Sequence, residues 1–234
     1  MTFTSTHWSV VLGARGESDE ARKALERLCA TYWLPLYAFV RRMGFSEQDA
    51  EDATQEFFAQ LTAQDFLAQI NPANGRFRSF LLAALKHFLS KERARTGALK
   101  RGGKKTIESL DGPSAEARYA LETAVTRTPE QIFDRCWATA LLEKVLGELG
   151  DEYAAAGKRD TFEKLKFTLT GSKANERYAQ IALNLNLSEG GVKVAVHRLR
   201  QRYRRRLMDE IANTVGTPAA ADEELNDLFA ALRL

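Results

Sequence analysis

Residues 178–206 read YAQIALNLNLSEGGVKVAVHRLRQRYRRR, and this stretch decides the fold. Ile181, Ala182, Leu185, Leu187, Val192, Val196 and Leu199 recur at three- and four-residue steps, the spacing of one face of an α-helix. The pattern breaks near Asn186. Ser188 offers a hydroxyl to cap a new helix, and Glu189 puts a carboxylate in its first turn, where the helix dipole favours negative charge. Two helices joined by a tight turn are expected. The second becomes strongly basic: Lys193, Arg198, Arg200, Arg202, Arg204, Arg205 and Arg206 are seven cations in a run with no acid.

That density suits phosphates. Where a helix-turn-helix reads duplex DNA, the N-terminal residues of its second helix meet base edges in the major groove. The candidates are Ser188, Glu189, Gly190, Lys193, Val194 and His197, with Arg198, Arg200 and the later arginines on the DNA backbone. A helical hairpin with a solvated basic face is the alternative. The coincidence of turn, cap, apolar pattern and charge favours DNA.

Ala, Leu, Arg and Glu dominate the 234 residues, Gly (15) and Pro (5) are sparse, and no alternating run of β-branched residues occurs, so an all-α fold is expected. The length accommodates two domains. The net charge is only +3, so its distribution carries more information than its total. Cys29 and Cys136 sit among apolar helix positions and read as reduced core residues. No apolar stretch approaches a membrane span, and the N-terminal MTFTSTHWSVV lacks the pattern of a signal peptide, which gives the expectation of a cytoplasmic protein with no membrane contact.

Along the chain, Trp8, Val10, Val11 and Leu12 give a short apolar segment without an assignable role. A helix capped by Ser18 follows, with a kink or new start expected near Leu34 because of Pro35, and an end at Gly44. Ser46 and Asp49 then form a capping-box-like start. The helix they open has a core stripe of Ala50, Ala53, Thr54, Phe57, Phe58 and Leu61, and an opposite face of Asp49, Glu51, Asp52, Gln55 and Glu56. Spacing alone leaves that acidic face equally open to solvated surface and to docking.

Asn71, Pro72, Asn74 and Gly75 mark a loop. In the next helix Phe77, Phe80, Leu81, Ala84, Leu85, Phe88 and Leu89 keep the helical period without a miss, and residues 76–105 carry ten Lys or Arg against Glu92 alone. Basic residues beside a polar loop and aromatics fit a single-strand surface, with Phe80, Leu81, Phe88 and Leu89 assigned to the core. Residues 96–128 hold no sustained period and read as a flexible, partly basic linker. Thr128, Pro129 and Glu130 start a further helix, whose core face is Ile132, Phe133, Cys136, Trp137, Ala140, Leu141, Val145 and Leu149. Past Met208 six acids face Arg233 alone, and Leu225, Leu228, Phe229 and Leu232 form a short amphipathic end.

Three segments together resemble the extracytoplasmic-function (ECF) sigma factors, which direct bacterial RNA polymerase to promoters. LYAFVRRMGFSEQDAEDATQEFF (36–58) is similar to the family's aromatic-basic helix followed by D-A-E-D, two residues, Q-E and an aromatic. GRFRSFLLAALKHFLSKERAR (75–95) looks like the segment that grips and melts the minus-ten-type element, with Phe80 at a step where the family has Trp. YAQIALNLNLSEGGVKVAVHRLR (178–200) resembles the helix-turn-helix for the minus-thirty-five-type element, with Gln180 in place of Glu and Val194-Ala195 in place of Ser-Arg. The WSVVL start, the KRGG linker and the acidic tail are similar, more loosely, to a longer ECF-like subgroup.

The resemblance implies that Asp49, Glu51, Asp52, Gln55 and Glu56 dock on the clamp helices of core RNA polymerase. It implies that Asn71 and Asn74 help hold a flipped base, with Arg76, Arg78, Lys86, His87, Lys91 and Arg93 on the backbone of melted promoter DNA. The expected organisation is a polymerase-docking and melting domain (1–95), a flexible linker (96–128), a helix-turn-helix domain (129–210) and an acidic tail (211–234). No cofactor, metal or enzymatic activity is expected; the partners are core polymerase and promoter DNA, with room for an anti-sigma factor, and the chain is expected to be monomeric. Two rival readings are a helix-turn-helix regulator without polymerase docking, and an Mg²⁺-dependent nucleotide pyrophosphatase built on Glu47, Glu51, Asp52 and Glu56.

Overall fold

The computed structural model describes residues 19–61, 76–98, 115–122, 127–169, 178–215 and 218–233. These form nine α-helices, and no strand occurs among the described residues. In chain order they are α1 (Asp19–Arg42), α2 (Glu47–Leu61), α3 (Phe77–Ala98), α4 (Ala115–Glu122), α5 (Pro129–Ala155), α6 (Arg159–Leu165, continued by a 3-10 turn Lys166–Leu169), α7 (Tyr178–Leu185), α8 (Glu189–Thr214) and α9 (Pro218–Arg233). The expected all-α class is observed. The loop with Asn71 and Asn74, the N-terminal segment and most of the basic linker lie outside the described residues.

The helix boundaries follow local chemistry. Gly44 closes α1 at φ 92°, a conformation costly for any residue with a Cβ. The Ser46 hydroxyl accepts from the Asp49 amide at 3.1 Å and starts α2. At the start of α5 the Gln131 amide donates to the Thr128 hydroxyl (3.2 Å) while the Gln131 side chain accepts from the Thr128 amide (2.9 Å), a reciprocal capping box. Pro35, expected to kink or restart α1, starts no new helix and lies inside one helix of 24 residues. Its missing N–H and ring clash cost about 3 kcal/mol. Burial of the surrounding Tyr32, Leu36, Tyr37, Phe39 and Val40, each at most 1% exposed, offsets that cost.

The chain divides into two compact units: residues 1–140 with 211–234, and residues 141–210. The boundaries therefore fall within α5 and near the end of α8, so the first twelve residues of α5 and the C-terminal helix group with the first unit. The first unit packs α1, α2 and α3 through aromatic contacts: Tyr32 meets Phe77 edge-on at 5.3 Å, Trp33 stacks on Phe58 at 5.7 Å, and Phe57 meets Phe88 at 5.8 Å. Leu81, Phe88 and Leu89 are buried as expected, while Phe80 is half-buried against Phe77. Ile132 and Cys136 of α5 pack with Ala38, and Tyr119 of α4 lies against them.

That contact corrects one expectation: residues 115–122, assigned to a flexible linker, form helix α4. Glu116 anchors it, accepting from Arg41 Nε at 2.8 Å, from Arg41 Nη2 at 2.6 Å and from the Tyr37 hydroxyl at 2.5 Å. The Arg41 guanidinium also lies over the Tyr119 ring, 5.3 Å from its centre. The arginine holds the Glu116 carboxyl below its ordinary range, and burial together with Glu116 pushes the Tyr37 hydroxyl up.

The second unit has its own core: Leu149 and Tyr153 of α5, Phe162 and Leu165 of α6, Tyr178, Ile181 and Ala182 of α7, and Val192, Val196 and Leu199 of α8. Gly150 packs closely there: an added Cβ would lie 3.0 Å from the Phe162 ring. Asn186, at φ 52°, makes the turn after α7, and the Gly191 amide donates to the Ser188 hydroxyl at 3.1 Å to open α8. The break near Asn186 and the Ser188 cap fall where the sequence pattern places them.

Candidate functional site

In α2 the core stripe buries Ala50, Thr54, Phe57, Phe58 and Leu61, with the Thr54 hydroxyl returned to the Ala50 carbonyl at 2.7 Å. This fixes the opposite face. Asp49, Asp52 and Glu56 are exposed, and Glu51 and Gln55 are half-buried beside them. Burial, with Glu47, Asp52 and Glu116 nearby, raises the Glu51 carboxyl above its ordinary range. None of these four carboxylates makes an ion pair among the described residues, so the face carries uncompensated negative charge.

The basic residues of α3 are placed very differently from one another. Arg78, expected on melted DNA, is 8% exposed. Its Nε donates to Glu224 at 2.7 Å, its Nη2 donates to Glu224 at 3.1 Å and to Asp227 at 3.0 Å, and its Nη1 pairs with Asp134. The guanidinium lies over the Trp137 ring, 4.7 Å from its centre. Arg76 pairs through Nε with Glu224 at 3.1 Å, through Nη2 with Glu223 at 3.3 Å, and with Asp227. Both arginines are thus taken up by acids of α9 and α5, and their expected role on the DNA backbone is corrected to a structural one. A duplex or single strand would have to displace four carboxylates to reach them. Desolvation opposes the charge on Arg78, and the three acids hold it; Arg78 in turn lowers the Asp134 carboxyl, which burial raises more.

Lys86 is half-exposed, pairs with Glu130 at 2.7 Å and lies 5.7 Å from the centre of the Phe39 ring. That contact pulls the Glu130 carboxyl below its ordinary range. His87 and Lys91 are exposed, on the stripe that also holds Ser79, Ala83, Lys86 and Ser90. Among the described residues, the available positive face of α3 is its middle. Asn71, Asn74 and the side chain of Arg93 lie outside the described residues.

Leu225, Leu228, Phe229 and Leu232, the short amphipathic end of the sequence, lie in the C-terminal helix α9. It docks on Ala221, Glu224, Leu228 and Ala231, each 5% exposed or less, while Phe229 is 43% exposed. Arg135 Nη1 also donates to the Leu232 carbonyl at 3.0 Å, satisfying a group in the last turn. Glu223, Glu224 and Asp227 recur at helical spacing, which was a signal in the sequence. Their partners, about 150 residues earlier, were not.

In the second unit the arginines of α8 also divide. Arg200 donates to the Thr168 carbonyl at 2.9 Å from Nη2 and 3.3 Å from Nε. That tie secures the 3-10 turn, and Arg200 remains exposed. Arg206 pairs with Glu152 at 2.7 Å, and Arg202 lies over the Tyr153 ring. Burial lifts the Tyr203 hydroxyl to about 12, with the Leu142 carbonyl accepting its proton at 3.3 Å. Lys193, His197, Arg198, Arg204 and Arg205 are exposed and make no ion pair among the described residues. Ser188, Glu189, Gly190 and Val194 are exposed on the first turns of the same helix. The expected base-edge residues thus share one outward surface.

No protein-family model, no curated protein and no solved structure matches this chain. Among the described residues no helix is long and apolar enough to cross a membrane.

Proposed function

We propose that the chain is a sigma-type initiation factor: it binds core RNA polymerase through the acidic face of α2 and promoter DNA through α3 and α8, without covalent chemistry of its own. The observation that carries this reading is the selective neutralisation of charge. Arg41, Arg76, Arg78 and Arg206 are paired with acids of the chain itself. The acids of α2 and the N-terminal cations of α8 are left facing solvent. Opposite charges on separate units suit two different partners, one basic and one polyanionic. Joining the two binding surfaces on one chain lets weak sites add through effective concentration.

In this account α7 and α8 act as the helix-turn-helix, with Glu189, Gly190, Lys193, Val194 and His197 towards base edges and Arg198, Arg204 and Arg205 on phosphates. The middle of α3, at Lys86, His87 and Lys91, tracks the melted strand. The carboxylates Asp49, Asp52 and Glu56 meet the polymerase, and Glu51 and Gln55 border them.

The direct test is the double reversal Asp52→Lys, Glu56→Lys. Both positions are exposed, so helical content should be unchanged while co-elution with core polymerase is lost. Undiminished co-elution would refute the docking assignment. The chain would then be read as a duplex-binding regulator acting without polymerase.

A further inference from the structure

The outward face of α8 is ordered in a way that solvation alone does not explain. Its buried stripe is Val192, Val196 and Leu199, at most 3% exposed. At 100° per residue, the point opposite that stripe is Val194, with Gly190 a turn before and Gln201 two turns after on nearly the same line. His197 lies beside it. Lys193 flanks this line on one side and Arg198 on the other, Arg204 lies farther round, and Arg205 stands on the line three turns beyond Val194. Over the first three turns of α8 the centre of this face is an aliphatic side chain left 50% exposed, and the cations there, Lys193 and Arg198, stand at the margins.

The first turn has been cleared as well. An added Cβ at Gly190 would meet only the Ser188 hydroxyl oxygen, 3.8 Å away, so nothing within the chain requires glycine there. Glycine in a helix nonetheless costs about 1 kcal/mol relative to alanine. Absence of a side chain on the outermost line permits close approach of another molecule to the helix backbone.

We propose that Val194 is the specificity-determining residue of this face, and that it reads thymine: its methyl groups pack on a thymine 5-methyl group in the major groove, while Lys193 and Arg198 hold phosphates on either side. The inference rests on the reading of α8 as the duplex-binding helix. The thymine methyl is the one apolar group the major-groove edge presents, and an aliphatic side chain can discriminate by little else. Burying one methyl corresponds to about a three- to fivefold change in affinity.

The test uses the full chain and a pool of randomised duplexes, from which bound sequences are recovered. The expected result is an enriched motif with thymine at one position. Replacing that thymine by deoxyuridine, which removes only the methyl, weakens binding three- to fivefold. In Val194→Ser the preference at that position disappears, the other positions keep theirs, and deoxyuridine has no effect. Lys193→Ala, by contrast, weakens binding to every sequence and leaves the motif unchanged. An enriched motif in which no thymine is sensitive to deoxyuridine, or which Val194→Ser leaves intact, overturns this inference alone. Failure of the unaltered chain to enrich any motif overturns the duplex-reading role of α8, and the inference with it.

Discussion

Glu224→Ala tests the structural assignment of the arginine cluster. Glu224 is 0% exposed and accepts at 2.7 and 3.1 Å from Arg78, with Arg76 Nε at 3.1 Å. Removing one partner of a buried ion pair costs about 3–5 kcal/mol, because the other charge is left without compensation. Asp134 and Asp227 still face Arg78, and their side chains are 36% and 47% exposed, so part of the compensation survives. The expected loss is therefore about 2–3 kcal/mol, below the full cost of breaking a buried pair. Glu223→Ala removes a carboxylate whose side chain is 73% exposed, and should cost under about 0.5 kcal/mol. The assay is urea unfolding at neutral pH, followed by far-ultraviolet circular dichroism and by tryptophan fluorescence, since Trp137 lies directly beneath Arg78. If Glu224→Ala and Glu223→Ala unfold at the same urea concentration, Arg76 and Arg78 do not owe their positions to α9, and their assignment to structure is wrong.

Three further outcomes follow from specific contacts. Gly147→Ala, where an added Cβ meets nothing within 4 Å, should stabilise α5 by roughly 0.5–1 kcal/mol, whereas Gly150→Ala should lose that gain or destabilise because its Cβ lies 3.0 Å from the Phe162 ring; urea unfolding of the pair checks this. Because Arg41 holds the Glu116 carboxyl below its unfolded value of 4.5, the stability it contributes is full above that pH and is lost as pH falls through the folded value; the advantage of the unaltered chain over Glu116→Gln should disappear on acidification, as read from stability measured against pH. If Lys193 and Arg198 contact phosphates, Lys193→Ala combined with Arg198→Ala should lower the slope of log affinity against log salt by about 2, measured on a duplex.

What the sequence disclosed was what is encoded locally. The Ser188 cap, the turn at Asn186 and the start of α5 at Thr128 and Pro129 each depend on residues within a few positions, and all stand where their residue types indicate. The apolar periods of α3 and α5 likewise identified Leu81, Phe88, Ile132 and Trp137 as core. Arg76 and Arg78 were not legible, because a charge run looks the same whether it meets phosphates or carboxylates 146 to 151 residues further along. Helix α4 has eight residues, too few to show a period, and it is held by Glu116 against α1. Pro35 signals a break in isolation, and the tertiary burial around it carries the helix through. At the candidate site, contacts separate the two classes of cation: Lys193 and Arg198 make no ion pair among the described residues, whereas Arg200 bonds the Thr168 carbonyl and Arg206 pairs with Glu152.

The most direct measurement combines the purified chain with core RNA polymerase and a pool of genomic fragments, and maps the transcripts that begin. Sigma-type function predicts a one-to-one complex that starts RNA at defined positions absent with core alone, and loss of both complex and transcripts with Asp52→Lys, Glu56→Lys. A chain that forms no complex with core polymerase, or a complex that starts no RNA at defined positions, would contradict the account.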